Sequence, residues 1–323
     1  MSAKYIGFII CAFIAVGICI WVYSKSTLKE RECERMNYMY PDFAPMASAK
    51  TDLKIHEYYI KTAYNCCCPS RAYTHTYVST CALKNCLRQG ARCLDFQIYS
   101  LDNKPVVAVS SADDFGVKET YNSIPFSTAM RVVNDMAFTS AGSPCPTDPL
   151  FLNLRVMSKN PDILSKMADA LTDTLGVRLM TNSLGDDIGN EKLSKYRGKV
   201  VVMLDPSYMD FVDAGDLSEM VDLPSETNKT NMRSFRFHGL KSTTNKDELV
   251  AYNTYSSSAV QTGLSICLPD LGANPKNPSF SKAREYRCHF VAMCFQLADA
   301  NLKDYNTVFD TYATAFVPQS QVS

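Results

Sequence analysis

Eight short apolar runs punctuate the chain, at residues 55–63, 92–99, 105–109, 150–156, 199–204, 232–237, 263–268 and 288–295. Several are apolar at nearly every position rather than at alternate ones. A strand of that kind is covered on both faces, as in a parallel sheet flanked by helices. The stretches between them read as helices. Residues 80–89 stop at Gly90, a residue suited to the left-handed turn after a helix. Residues 125–138 begin with proline in the first turn. In 161–175, behind the capping-type Asn160, the side chains of Ile163, Met167, Ala170 and Leu171 share one face. Stretches 245–256 and 301–312 complete the set. Eight strands alternating with helices imply a β/α barrel, with an open doubly wound sheet as the alternative. No G-x-G-x-x-G follows the first strand and no P-loop is present, so that alternative lacks its commonest nucleotide-binding forms.

Ahead of the first run, residues 5–23 read YIGFIICAFIAVGICIWVY, without a charge. As a helix this segment is about 28 Å long, close to the hydrocarbon thickness of a bilayer. Tyr5, Trp21 and Tyr23 stand at its edges, where interfacial aromatics belong. No small-x-small cleavage site follows Trp21, which favours an uncleaved single-pass anchor over a signal peptide. Lys4 precedes the span, and Lys25, Lys29, Arg31 and Arg35 follow it. The positive-inside rule then puts the rest of the chain on the cytoplasmic side. The sequon Asn228-Lys229-Thr230 would be idle there. Residues 24–50 read as a juxtamembrane linker and 51–323 as the barrel, its halves at 51–205 and 230–318.

Thirteen cysteines include the triplet Cys66, Cys67 and Cys68. Adjacent cysteines cannot all pair locally, and Cys93, Cys288 and Cys294 sit in apolar runs. The reading is reduced thiols in a cytosol-like compartment. Neither a zinc spacing nor a cysteine–histidine pair is present. The 33 basic and 33 acidic residues cancel, which gives no basis for a nucleic-acid partner.

Residues 59–110 resemble the first half of the phosphatidylinositol-specific phospholipase C catalytic (X) domain. That family's first strand ends in a Ser-His-Asn-Thr type motif, matched here by Ala63, Tyr64, Asn65 and Cys66. Its second strand follows Gly-x-Arg, here Gly90-Ala91-Arg92, and carries an acidic pair that falls on Asp95 and Gln97. Its third ends Pro-(apolar)-(apolar)-Tyr-His-Gly, matched by residues 105–110 with Val109 at the histidine. Arg155, in DPLFLNLRVMSKNP, takes the place of a further acidic ligand. The likeness is greatest to phospholipase C-like proteins of large DNA viruses, through AYNCCC, ARCLDF, SLDNKPVVAVS and PKNPS. It implies a distorted (β/α)8 TIM-type barrel behind one transmembrane helix, with its site at the strand C-termini.

The resemblance implies an acid–base pair of histidines and, in eukaryotic-type members, calcium held by asparagine and carboxylates. Here the histidine positions hold Tyr64 and Val109. Valine transfers no proton, and a tyrosine of ordinary pKa near 10 is a poor base at neutral pH. Asn65 and Asp95 remain as weak metal candidates, Gln97 is neutral and Arg155 is a cation. No cofactor is therefore expected, and a calcium site would be depleted. The substrate-binding Arg-x-Tyr-Pro pattern falls on Ile266-Cys267-Leu268-Pro269. Of the four histidines, His289 reads as a hydrogen-bonded core residue, and none is placed to replace the lost pair. The expectation is a membrane-anchored pseudoenzyme with membrane lipid and viral structural proteins as partners. Asn65, Asp95, Gln97 and Arg155 would form a phosphate pocket. A phosphoric diester hydrolase with a non-histidine site is the alternative.

Overall fold

A computed structural model describes residues 3–322, apart from 113–116, 181–186, 206–210, 226–231, 243–244 and 256–261. The sequon Asn228-Lys229-Thr230 lies outside the described residues. Strands β1 (Tyr58–Ala63), β2 (Cys93–Leu101), β3 (Lys104–Ala108), β4 (Ile124–Pro125), β5 (Leu150–Val156) and β6 (Val200–Asp205) come from the first part of the chain. Strands β7 (Leu223–Pro224), β8 (Met232–Arg236), β9 (Leu264–Leu268), β10 (Phe290–Met293) and β11 (Phe316–Pro318) follow. Eight of them form a parallel sheet in the order β7-β6-β5-β2-β1-β10-β9-β8. The sheet curls into a nearly closed barrel whose open seam, among the described residues, lies between β7 and β8.

The membership of the barrel differs from the sequence reading at one strand. Residues 105–109 belong to β3, which pairs antiparallel to β2 as an outer hairpin with β4 beyond it. The eighth wall strand is instead the two-residue β7, too short to leave a periodic trace in sequence. The hairpin has a local cause. Asp102 and Asn103 both adopt positive φ, and Asn and Asp tolerate the two left-handed residues of a tight hairpin turn.

Helices α1 (Ala3–Ser26), α2 (Leu28–Met39), α3 (Thr80–Arg88), α4 (Phe126–Ala137) and α5 (Asp162–Leu175) occupy the first half. Helices α6 (Phe237–Ser242), α7 (Lys246–Asn253), α8 (Phe280–Arg284) and α9 (Ala300–Tyr312) occupy the second. Ser79 caps α3 by accepting from the Cys81 N–H, and Gly90 closes the following turn at φ +78. A Cβ at Gly90 would collide with the Met46 side chain. Within the barrel, Phe151 and Phe290 meet edge to face, their centroids 5.1 Å apart. Side chains two residues further along β2 and β5 share that inner face, so Asp95 and Asn153 lie above the aromatic layer. On the outer face of β1, Lys61 is buried with its Nζ 3.8 Å from Asp310 of α9. Burial pushes its pKa down to about 8, opposed by Asp310.

Helix α1 contains one segment, Ile9–Ser26, long and apolar enough to cross a membrane, and none of it is buried against the rest of the chain. The stretch read as a linker is built into the domain instead. It carries α2, whose Met36 is fully buried. Arg35 donates to the carbonyls of Pro69 (2.7 Å) and Gln296 (3.0 Å), and the Tyr40 hydroxyl donates to the Phe295 carbonyl at 2.7 Å. Further along, the Ala49 N–H donates to Asp148 at 2.9 Å. The cysteine reading needs a second correction: Cys33 of α2 and Cys81 of α3 form a disulfide, while the remaining cysteines are free thiols.

Candidate functional site

The C-terminal ends of β1, β2, β5 and β8 meet at one mouth of the barrel. Past β1, Asn65 adopts a left-handed backbone (φ 44), which asparagine accepts more readily than most residues. This turns the Asn65 N–H onto Asp95 Oδ2 at 3.0 Å, and the Cys66 N–H donates to the Asp95 carbonyl at 3.0 Å. In the parallel register of β2 with β5, Asp95 stands beside Asn153 and Gln97 beside Arg155.

Arg155 grips Asp95 with both arms of its guanidinium. Nε donates to Oδ1 and Nη2 to Oδ2, each at 2.8 Å. Nη2 also donates to Asn65 Oδ1 at 2.9 Å, and Asn153 Nδ2 donates to Asp95 Oδ1 at 2.8 Å. Each carboxylate oxygen therefore accepts two N–H bonds. Asp95 is 0% and Arg155 3% exposed, so the pair is desolvated. A bidentate geometry with the remaining lone pairs satisfied is the condition under which a buried ion pair offsets its desolvation.

Tyr64 packs against this pair, with its ring centroid 4.8 Å from the Arg155 guanidinium carbon. Its hydroxyl accepts a 2.9 Å hydrogen bond from Nη1 of half-buried Arg236, at the end of β8, which also donates to the Pro269 carbonyl. Tyr73 stacks on Tyr64 at 6.1 Å. Thus the structure brings Tyr64, Asn65, Asp95 and Arg155 together. Gln97 faces the same mouth but turns away from the ion pair: its Oε1 accepts from the Ser110 N–H at 2.9 Å. Val109 is buried just beyond β3. Asn153 and Arg236 are additional members. Asn153 was legible from its period-two spacing to Arg155, whereas Arg236 reaches the mouth by strand order alone.

The donor set does not suit calcium. The three oxygens that would ligate it already accept hydrogen bonds from a guanidinium. The only carboxylate among them lies 2.8 Å from that fixed positive charge. Two of the four histidines lie away from the mouth. His289 lies at the opposite end of the barrel, where Nδ1 accepts from the Ser265 N–H and Nε2 bonds the His56 carbonyl. Burial pushes its pKa down to about 3. His56 stacks on Tyr255 at that same end, and His75 and His238 are exposed. The cysteine triplet is buried beside the mouth; burial pushes the Cys68 thiol up to about 12, far from a reactive thiolate.

Residues 51–204 match the family model of the phosphatidylinositol-specific phospholipase C X domain. Among solved structures, PLC21 of L. pealei is similar with a TM-score of 0.66 at 16% identity, over 84% of this chain and 38% of that one. PLC21 of S. officinalis gives a TM-score of 0.65 at the same identity, again over 84% of this chain and 38% of that one. A calcium-dependent phosphoinositol-specific phospholipase C from a Gram-negative bacterium, Pseudomonas sp, gives 0.53 at 11% identity, over 85% of this chain and 98% of that one. The chain thus spans well under half the length of the first two. No curated protein matches it in sequence. The barrel is of the phospholipase C-like kind.

Proposed function

We propose that this chain is a phospholipase C-like barrel in which an internal ion pair stands where the hydrolase holds its metal, and that it acts as a membrane-anchored binding or structural protein. The observation that carries this reading is the guanidinium of Arg155 on both oxygens of Asp95 and on Asn65 Oδ1. A buried arginine supplies no exchangeable coordination position and no proton acceptor. With Tyr64 and Val109 at the two histidine positions, neither of those positions offers a group suited to take a proton from an inositol hydroxyl or return one to the leaving alkoxide.

What survives is recognition of an anion. Half-buried Arg236 stands beside Tyr64 at the mouth, and a guanidinium is suited to a phosphate. The ligand class proposed is the phosphate of a membrane lipid, held without turnover. The anchor reading rests on α1, and the setting in a virion or virus-remodelled membrane rests on the sequence likeness alone.

The test is incubation of the full-length protein with phosphatidylinositol vesicles, with and without calcium. The expected result is binding without release of inositol phosphate. Release that disappears in Asp95→Ala would replace this reading with a hydrolase built on non-histidine groups. Vesicle binding that is unchanged in a folded Arg236→Gln variant would remove the phosphate assignment.

A further inference from the structure

The pattern of cysteine exposure bears on which side of the membrane the domain occupies. Cys33 and Cys81 are both half-buried, within reach of solvent, and they are joined. Every free cysteine outside α1 is buried. The exposed ones, Cys11 and Cys19, lie on the segment that lipid would cover. In the folded domain, then, each cysteine that water reaches is in the disulfide.

The Cα atoms of the pair are 6.0 Å apart, a usual separation for a bridge. The bond ties α2, which directly follows α1, to α3 of the barrel. A solvent-reachable bridge of this kind persists where the surroundings are oxidising and is opened in a glutathione-reduced cytosol.

The flanking cations argue for the opposite face, but the fold accounts for part of that charge. Arg35 is committed to the carbonyls of Pro69 and Gln296, and Arg31 donates to the Ser24 carbonyl at 2.8 Å. The charge rule also applies to short loops, whereas a long folded domain translocates largely regardless of its charge.

We propose that the barrel lies on the oxidising face of the membrane that holds α1, with Cys33–Cys81 as a covalent clasp between the anchor segment and the barrel. The clasp forms by exchange with an oxidised dithiol protein. Cys33 and Cys81 lose two protons and two electrons as their S–S bond forms, and the partner's disulfide takes up both and becomes a dithiol. This inference rests on the anchor reading.

The test is translation of the full chain into secretory-pathway microsomes with oxidised glutathione present. It has three readouts: carbonate extraction, protease protection, and PEG-maleimide labelling after denaturation. The expected result is a carbonate-resistant chain with a protease-protected barrel that gains two PEG adducts on reduction. In Cys33→Ser that gain is absent while protection remains. A barrel digested by external protease would overturn the proposal, with or without the bridge. A protected barrel that gains no adducts on reduction would overturn it too. Carbonate extraction of the chain would instead refute the anchor and this inference with it, and so is distinguishable from a failure of sidedness alone.

Discussion

The two ends of the barrel bury strongly polar side chains in opposite ways. At the mouth, Arg155 meets a carboxylate, and Asp95 accepts hydrogen bonds at both oxygens from Arg155, Asn153 and the Asn65 backbone. At the floor, Arg92 is also fully buried, but its hydrogen bonds go to the carbonyls of Ala137 and Cys145 and to Ser143 Oγ, with Nε and Nη1 unmatched. The floor's histidine, His289, is held neutral between a backbone N–H and a backbone carbonyl. The mouth therefore keeps a hydrogen-bonded ion pair, while at the floor Arg92 hydrogen-bonds only neutral acceptors and has the buried Asp148 carboxylate as a countercharge at longer range. A charge matched by a countercharge cannot lose one partner cheaply; a charge on carbonyls can be replaced by a neutral group at lower cost.

Arg155→Ala should have the largest effect, about 3–5 kcal/mol of stability, because Asp95 is left charged and buried without its partner. Urea unfolding measures it. Coupling Arg155→Met with Asp95→Leu should recover about 2 kcal/mol of that loss, within the range of coupled neighbours. Strict additivity would show the pair to be weaker than its geometry suggests. Cys33→Ser should cost about 2–4 kcal/mol through the loosened α2, and reduction of the wild type should cost the same. Equal unfolding midpoints with and without reductant would contradict the clasp. Arg92→Met should cost about 1–3 kcal/mol, less than the mouth substitution, since its hydrogen bonds go to neutral acceptors and Asp148 keeps Arg197 as an ion-pair partner. A larger loss than that of Arg155→Ala would break the contrast between the ends.

Acid should test the floor separately. The pKa of His289 falls from 6.5 to about 3 on folding, so the unfolded chain binds the proton first. Its contribution is intact above about pH 6.5 and is lost as the pH falls toward 3, by at most about 1.4 kcal/mol per pH unit for one proton. A His289→Gln variant should flatten that part of the profile. The smallest effect expected is from calcium: millimolar concentrations should leave the wild-type melting temperature unchanged. A rise would mean that the guanidinium yields the site to the metal.

The sequence made much of the mouth legible. Period-two spacing in LDFQ and LNLR put Asp95 with Gln97, and Asn153 with Arg155, on shared faces, and the resemblance aligned Tyr64 and Asn65 with them. It gave no reason for Gln97 to turn to Ser110, because that depends on where the β3 hairpin ends. Arg236 was hidden because β8 is adjacent to the mouth only after the sheet has curled. The linker was misread for a related reason: a polar, charged helix such as α2 shows no apolar stripe when its docking is done by Arg35, Tyr40 and Met36 rather than by a broad apolar face.

Local chemistry alone determined that this chain would form buried parallel strands and an apolar N-terminal helix. Those properties depend on residue type and spacing, which the chain carries whatever its final arrangement. Tertiary structure alone decided that Arg155 would close on Asp95, that Cys33 would find Cys81 across 48 residues, and that β7 rather than β3 would complete the wall. Each is a meeting of groups far apart in sequence, fixed by register and packing.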